Sequence, residues 1–228
     1  MSGIPDKIMS QSHTSISCFE TCPRQYEAKY ITKTVKFEQG EAAAWGDAVH
    51  CALEARVKTG EPLPSNMSMY AKWGDAIAAR AGEKIIEGAF GIRRDLSPCD
   101  FKDPEAWMRA KLDVLILKDG GYGEIIDYKT GKMKTDPTQL RRYSLLVFCK
   151  YPHLNTIKAG YAWLKDDVLS PPSTYTRADV PAMVALEESI YARIEASYMT
   201  GTFQPKPSGL CNGWCPVTTC QFWKPKRG

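Results

Sequence analysis

Three features are absent from this 228-residue sequence, and each absence excludes a class of protein. No apolar run approaches the roughly 18 residues that suggest a membrane-spanning helix. The first residues lack the basic-then-apolar layout of a secretory signal peptide. No G-x-x-x-x-G-K-[ST] loop is present, which excludes a nucleotide-driven motor of that type. We therefore expect a cytoplasmic protein with no membrane partner.

The composition is that of an ordinary globular protein. Charged residues make up 25% of the chain and aromatic residues 11%, which excludes disordered and low-complexity classes. At this length we expect one domain spanning 1–228, with a short appendage. The net charge of +4 permits a polyanionic partner without requiring one. Eight cysteines in a reducing cytosol indicate buried thiols, metal ligands or nucleophiles, and not disulfides.

The order of the predicted elements indicates a mixed α/β fold. Helical patterns come first, a cluster of strands with one inserted helix follows, and a last helix precedes a tail rich in Pro, Gly, Cys and Trp. Ser17 and Glu20 have the spacing of a capping box at the start of the first helix. The predicted helices are 17–30, 41–58, 66–81, 137–150 and 179–200, and the predicted strands are 83–92, 110–117, 124–130 and 157–164.

Two of these strands bring acidic residues together. If 110–117 and 124–130 pair as an antiparallel hairpin centred on Gly120, Asp113 lies opposite Asp127, with the two Cβ atoms roughly 5 Å apart. The two-residue period places Lys129 on the same face. Two carboxylates at this spacing can share one divalent cation. The residues leave an alternative open, which is a simple ion pair between Lys129 and one of the acids.

Two helices add polar residues that the hairpin alone does not explain. His50 stands four residues before Glu54 and Gln139 stands four before Tyr143, so each pair shares a helix face. Taken in order, the segments GDAVHCALE, KLDVL, IDYKTG and QLRRY resemble the RecB-like branch of the PD-(D/E)XK nuclease superfamily. The resemblance covers about 22–143. It implies a restriction-endonuclease-like core, with a central mixed β-sheet flanked by helices.

Matched residue by residue, the resemblance assigns a role to each position. The implied catalytic residues are Asp113, Asp127 and Lys129. The implied metal ligands are His50, Asp113, Asp127 and the main-chain carbonyl of Tyr128, with Glu54 in support. Gln139 and Tyr143 become candidates for substrate positioning, and Arg141 and Arg142 either contact phosphates or are solvated helix charges. Such ligands suit magnesium or manganese, and the imidazole shifts the preference towards manganese.

The cysteines of the tail, residues 203–228, follow a metal-ligand pattern. Cys211-x3-Cys215-x4-Cys220 places three thiols on one loop and requires a fourth ligand. Iron–sulfur members of the RecB-like branch, which include CRISPR-associated adaptation nucleases, imply a [4Fe-4S] cluster with Cys22 as the fourth ligand. The cluster then joins the tail to the N-terminal helix. Zinc on the same thiolates is the alternative, and Cys18 is the alternative to Cys22.

The sequence therefore predicts a divalent-metal-dependent DNA exonuclease. We expect it to act on DNA with a free end, in recombination, repair or replication, in a bacterial or phage-infected cytosol. Because the chain lacks its own motor loop, a helicase or recombination protein is a candidate partner. Three alternatives are an endonuclease of the same fold, a non-catalytic DNA-end-binding module and a zinc-stabilised interaction module. Cleavage polarity, strand preference and oligomeric state are left open.

Overall fold

The computed structural model describes residues 7–35, 40–134 and 136–226. The chain divides into two compact units, and each is described by itself. Residues 39–183 form the first, named here the sheet unit. Residues up to 38 and from 184 onward form the second, named the terminal unit. The N-terminal segment and the cysteine-rich tail therefore belong to the same unit.

A mixed seven-stranded sheet is the centre of the sheet unit. Its strands are β1 (Glu83–Ile92), β2 (Pro98–Cys99), β3 (Met108–Lys118), β4 (Tyr122–Lys129), β5 (Thr156–Trp163), β6 (Val168–Leu169) and β7 (Ser173–Thr176). The strand order is β2-β1-β3-β4-β5-β6, and β7 also pairs with β5. Strands β4 and β5 are parallel, and the other pairs are antiparallel. This arrangement, with helices on the sheet, confirms the predicted fold class.

Helices of the sheet unit pack on the sheet and cover its apolar residues. In chain order the α-helices are α1 (His13–Thr21), α2 (Pro23–Tyr26), α3 (Glu41–Thr59), α4 (Ala71–Ala78), α5 (Thr138–Lys150) and α6 (Val180–Thr200). Helix α3 ends at Gly60, as predicted. The predicted helix 66–81 is a 3-10 segment, Ser65–Tyr70, followed by the shorter α4. Val49 and Leu53 of α3 join Ile77 of α4 in a cluster with Val114 and Ile126 of the sheet, and burying these side chains favours folding.

The β3–β4 hairpin has the register that the sequence predicts. Val114 pairs with Ile126, Leu117 with Gly123 and Lys118 with Tyr122, so the hairpin is centred on Gly120. The strands β4 and β5 are joined through α5, and such a crossover is the usual connection between parallel neighbours. One end of the hairpin, with Asp113 and Asp127, therefore lies beside β5 and α5.

The terminal unit begins with a capping box that lies earlier than predicted. Ser12 is the N-cap of α1: its hydroxyl accepts from the Ser15 backbone N–H at 3.2 Å, and the Ser15 hydroxyl accepts from the Ser12 N–H at 2.8 Å. Ser17 lies inside the helix, so the predicted start was wrong. A serine at the third helical position replaces the glutamate that the prediction required.

The tail packs on the N-terminal segment, as expected for this fold. Lys206 Nζ donates to the main-chain oxygen of Glu20 at 2.9 Å, and the rings of Phe203 and Tyr26 stack with centroids 6.1 Å apart. The Tyr26 hydroxyl in turn accepts from Gln11 Nε2 at 2.9 Å. Among the described residues there is no helix with the length and apolarity needed to span a bilayer.

Arg177 holds the C-terminal end of α5, which leads to the first prediction. Its guanidinium donates to the carbonyls of Leu154, Phe148 and Tyr151 at 2.7, 3.2 and 2.9 Å. We expect Arg177→Ala to lower the free energy of unfolding by roughly 2–4 kcal/mol, because those carbonyls lose a charged donor. Lys72→Ala, which removes an exposed ion pair with Asp167, should cost less than about 1 kcal/mol. Urea unfolding of both variants measures this, and equal losses would contradict the role of Arg177.

Candidate metal centre and catalytic site

Asp113 is the acid around which the candidate site is built. Its carboxylate is buried, with Oδ1 3.1 Å from Nδ1 of His50 on α3. Its Oδ2 accepts the backbone N–H of Tyr128 at 2.7 Å. The backbone pairing of β3 with β4 reaches Val114 and Ile126, and at the next position the side chain of Asp113 takes the β4 N–H instead. The carboxylate is therefore fixed by both a strand and a helix.

Glu87 is a functional candidate that the sequence analysis missed. The pairs Ile86–Val114 and Gly88–Leu112 flank it, so Glu87 on β1 lies across from Asp113 on β3. Its backbone φ is +58°, an unusual conformation for a non-glycine residue and one that is enriched at functional sites. The one available signal was a single acid within the apolar stretch IIEGAFGI.

His50, Glu87 and Asp113 form a candidate metal centre. One ligand atom from each lies within 4.8 Å of the others. One imidazole nitrogen and two carboxylate oxygens fit magnesium or manganese by their chemistry. Lys111 Nζ lies 2.6 Å from Oε2 of Glu87 and compensates part of the negative charge. Glu54, the predicted supporting acid, is outside this group and pairs with Lys58 Nζ at 2.6 Å.

Asp127 lies in a second polar group next to this centre. Its Oδ2 is 2.6 Å from Lys129 Nζ, and its Oδ1 accepts from Gln139 Nε2 at 3.1 Å. Gln139 Oε1 also accepts from Lys129 Nζ at 2.9 Å, so the three side chains form a closed ring of polar contacts. The structure therefore contains the ion pair that the sequence analysis left open as an alternative, and Asp127 is not part of the three-residue metal group.

The pKa values of the site follow from its burial and charge. Burial and the neighbouring carboxylate of Asp113 raise the pKa of Asp127 above its ordinary value, although Lys129 acts in the opposite direction. Burial lowers the pKa of His50, but its hydrogen bond with Asp113 and the surrounding carboxylates outweigh this and give a net increase. Burial and the neighbouring charged groups act together on both pKa values, a combination that is typical of functional sites.

The predicted substrate residues on α5 differ in their accessibility. Gln139 Nε2 donates to the Tyr143 hydroxyl at 2.6 Å, so Tyr143 is linked through Gln139 to Asp127 and Lys129. Arg141 is partly exposed. Arg142 is 2% exposed. The predicted phosphate contact of Arg142 is wrong, because a guanidinium buried in α5 lacks the accessible surface that a phosphate requires, and for the same reason Arg142 is not a solvated helix charge.

A cavity of about 770 Å³ lies next to Lys129. The Tyr161 ring lies on its wall, and its centroid is 5.4 Å from Lys129 Nζ. The Trp163 ring, also on the wall, is 5.5 Å from that of Tyr161. Lys134 and the apolar side chains of Met133 and Val168 complete much of the lining. The lining carries one basic residue, Lys134, and one acidic residue, Asp136, and the volume of the cavity is in the range of sites that bind small organic ligands.

The four predicted cluster cysteines line one pocket in the terminal unit. Backbone N–H groups donate to two of the sulfurs, from Lys206 to Cys22 at 3.4 Å and from Ser208 to Cys211 at 3.5 Å. In the part of the chain that the structure describes, no three cysteine sulfurs lie within 4.8 Å of one another. Cys18 is not among the lining residues, and burial raises the pKa of its thiol to about 11.

A mixed sheet with acids on neighbouring strands and a lysine beside them defines a restriction-endonuclease-like fold. The family profile of the PD-(D/E)XK nuclease superfamily matches residues 10–221, and the chain belongs to this superfamily. None of the curated proteins compared with the chain matches it.

Two solved structures are similar to the chain over most of their length. A protein from Eubacterium rectale described as a candidate exonuclease has a TM-score of 0.53 and 15% identity, with 90% of this chain and 87% of that one covered. The protein SSO0001 has a TM-score of 0.47 and 16% identity, with 95% and 88% covered. At 15% identity, the similarity to the Eubacterium rectale protein shows the fold alone.

The second prediction concerns Glu87, the acid that the sequence analysis missed. We expect Glu87→Gln to weaken manganese binding about tenfold or more, because it removes one anionic ligand while keeping the size of the side chain. Glu83→Gln, a change of the same kind four residues earlier on β1, should leave the affinity unchanged. Titration calorimetry with manganese measures both, and equal affinities for the two variants would exclude Glu87 as a ligand.

Proposed function

We propose that this protein is a divalent-metal-dependent DNA exonuclease. The observation that carries the proposal is that Glu87, Asp113 and Asp127 lie on three adjacent strands. Lys129 forms an ion pair with Asp127. Membership of a nuclease superfamily supports hydrolysis of a phosphodiester bond. The complete set of acids and lysine argues against a non-catalytic DNA-end-binding module.

His50, Glu87 and Asp113 are the residues that would hold the metal. When bound, the metal supplies Lewis acidity and lowers the pKa of a coordinated water. The Tyr128 N–H fixes the orientation of Asp113. Because the N–H and C=O of one strand residue point towards the same neighbour, the Tyr128 carbonyl faces the same side and supports its assignment as a further ligand.

Lys129 is the residue proposed to act on the reacting phosphate. Asp127 and Gln139 hold its ammonium group from two directions, at 2.6 and 2.9 Å. A cation held in this way can stabilise the negative charge that develops during phosphodiester cleavage without reorganising at that moment. Gln139 and, through it, Tyr143 are positioning residues, since both act on the orientation of Lys129 and Asp127.

The cavity beside Lys129 supports an unpaired nucleotide as the group bound next to the cleaved bond. The volume of the cavity is sufficient for one nucleotide, and Lys134 on its lining can contact a phosphate, whereas the rings of Tyr161 and Trp163 are buried and leave little surface for stacking. We choose an exonuclease over an endonuclease because of the resemblance to exonucleases of this superfamily, which include the Eubacterium rectale protein by its description. We infer a role in recombination, repair or replication in a bacterial or phage-infected cytosol, where a helicase or recombination partner supplies free DNA ends.

We further propose that Cys22, Cys211, Cys215 and Cys220 hold a [4Fe-4S] cluster. The four thiols line one pocket, and the resemblance to the iron–sulfur members of the RecB-like branch favours a cluster over zinc at these positions. The N–H donors to Cys22 and Cys211 also suit thiolate ligands. The group's role is structural, because it joins distant parts of the chain.

The third prediction tests the catalytic lysine. We expect Lys129→Ala to abolish manganese-dependent degradation of linear single-stranded DNA, because the cation beside Asp127 is lost, while DNA binding stays largely intact. The measurement uses end-labelled linear DNA and a circle of the same sequence. Wild-type enzyme should degrade the linear substrate alone.

Lys132→Ala is the matched control, since Lys132 is an exposed lysine three residues away. It should keep wild-type cleavage. Cleavage of the circle by the wild-type protein would indicate an endonuclease. Near wild-type rates in Lys129→Ala would contradict the proposed role, and binding without cleavage of any substrate would favour the binding-module alternative.

The fourth prediction concerns the cysteines. We expect Cys215→Ala to lower the midpoint of thermal unfolding and to abolish the visible absorption of an iron–sulfur cluster, because one of four ligands is lost. Cys51→Ala, which removes an exposed cysteine of the sheet unit, should change neither. If elemental analysis of the wild-type protein finds zinc and no iron, the cluster is excluded and the zinc alternative is supported.

A further inference from the structure

The net positive charge of the protein lies in its tail. Residues 203–228 contain four of the 30 basic residues, Lys206, Lys224, Lys226 and Arg227, and none of the 26 acidic ones. The rest of the chain therefore carries 26 basic and 26 acidic residues and is neutral. The whole net charge of +4 belongs to a segment of 26 residues, which favours a polyanionic partner for this segment.

An exposed tryptophan lies within this basic segment. Trp214 is 66% exposed, which is unusual for so large an apolar side chain. Lys226 Nζ lies 4.2 Å from the centroid of its ring, in a cation–π contact. Other apolar residues of the tail, Leu210 at 46% and Phe222 at 38%, are exposed as well. The segment thus combines aromatic surface with lysines and no competing acid.

The backbone holds Trp214 and Lys226 together. The Trp214 N–H donates to the Leu210 carbonyl at 3.1 Å, and the Lys224 N–H donates to the Cys211 carbonyl at 2.8 Å. Gly213, which precedes Trp214, has a φ of +80°, and a Cβ atom at this position would lie 2.5 Å from the backbone nitrogen of Lys226. Only glycine permits this approach. The exposed ring is therefore displayed by a defined loop.

We propose that Trp214 and Lys226 form a binding site for single-stranded DNA that is made of residues other than those of the candidate catalytic site. A base stacks on the exposed indole, while Lys226 and Lys224 contact the flanking phosphates. Aromatic rings interleaved with lysines bind single strands without sequence preference, because every base has a flat face and every nucleotide a phosphate. This proposal rests on the proposed function in one respect, which is that the bound polymer is DNA.

The matched pair Trp214→Leu and Trp214→Phe tests the stacking contact. Both are measured in full-length protein carrying Lys129→Ala, without added divalent metal, by fluorescence anisotropy with labelled oligothymidylate. We expect Trp214→Leu to weaken binding about tenfold and Trp214→Phe to lose much less, because phenylalanine keeps an aromatic face. An apolar contact with a merely structural role would instead affect both variants equally, and that result overturns the proposal.

Lys226→Ala tests the phosphate contact through its salt dependence. We expect the slope of log affinity against log salt concentration to fall by about 0.7, as for one phosphate contact on a single strand. Lys150→Ala, which removes an exposed lysine of the sheet unit, should leave the slope unchanged. Unchanged affinity in both Trp214→Leu and Lys226→Ala overturns the proposal.

These measurements separate the tail binding site from the proposed nuclease function. Because binding is measured without catalysis, a wild-type protein that cleaves no DNA leaves the expected binding differences intact. Conversely, a protein that cleaves DNA but binds equally well after both tail substitutions retains the proposed nuclease function and loses the tail site.

Discussion

The carboxylate of Asp113 is the interaction on which the centre of the sheet unit depends. A buried charge is costly unless it is paired and hydrogen-bonded, and here one oxygen accepts a β4 N–H while the other faces His50. The same contacts replace backbone pairing at the end of the hairpin. Asp113 therefore both closes the β3–β4 ladder and positions acids on either side of it, so fold and site share one determinant.

Charge balance explains how three acids can lie side by side. Glu87 is next to Lys111, Asp113 is next to His50, and Asp127 is next to Lys129. Each carboxylate thus has a basic neighbour, which offsets much of the repulsion between like charges. The acids can be held in place before a cation arrives, and a ligand set that is already ordered loses less conformational entropy on binding.

The sequence was informative where structure is local and silent where it is not. The β3–β4 register followed from a tight turn and a two-residue period, so the positions of Asp113 and Asp127 were predictable. Glu87 was not, because residues 93–107 separate β1 from β3 and no short turn fixes their register. Arg142 was misjudged since α5 is buried on most of its surface, including Leu145 and Phe148, and helical periodicity alone gave no sign of that.

The terminal unit is assembled from segments far apart in the sequence, since it combines residues up to 38 with those from 184 onward. The sheet unit is continuous, so its residues leave the ribosome together and can fold while synthesis continues. Cys22 is synthesised early but cannot meet Cys211, Cys215 and Cys220 until the chain has grown by almost two hundred residues. Assembly of the proposed cysteine site would thus be a late, post-synthetic event, whereas the acids of the candidate metal centre can be in place beforehand.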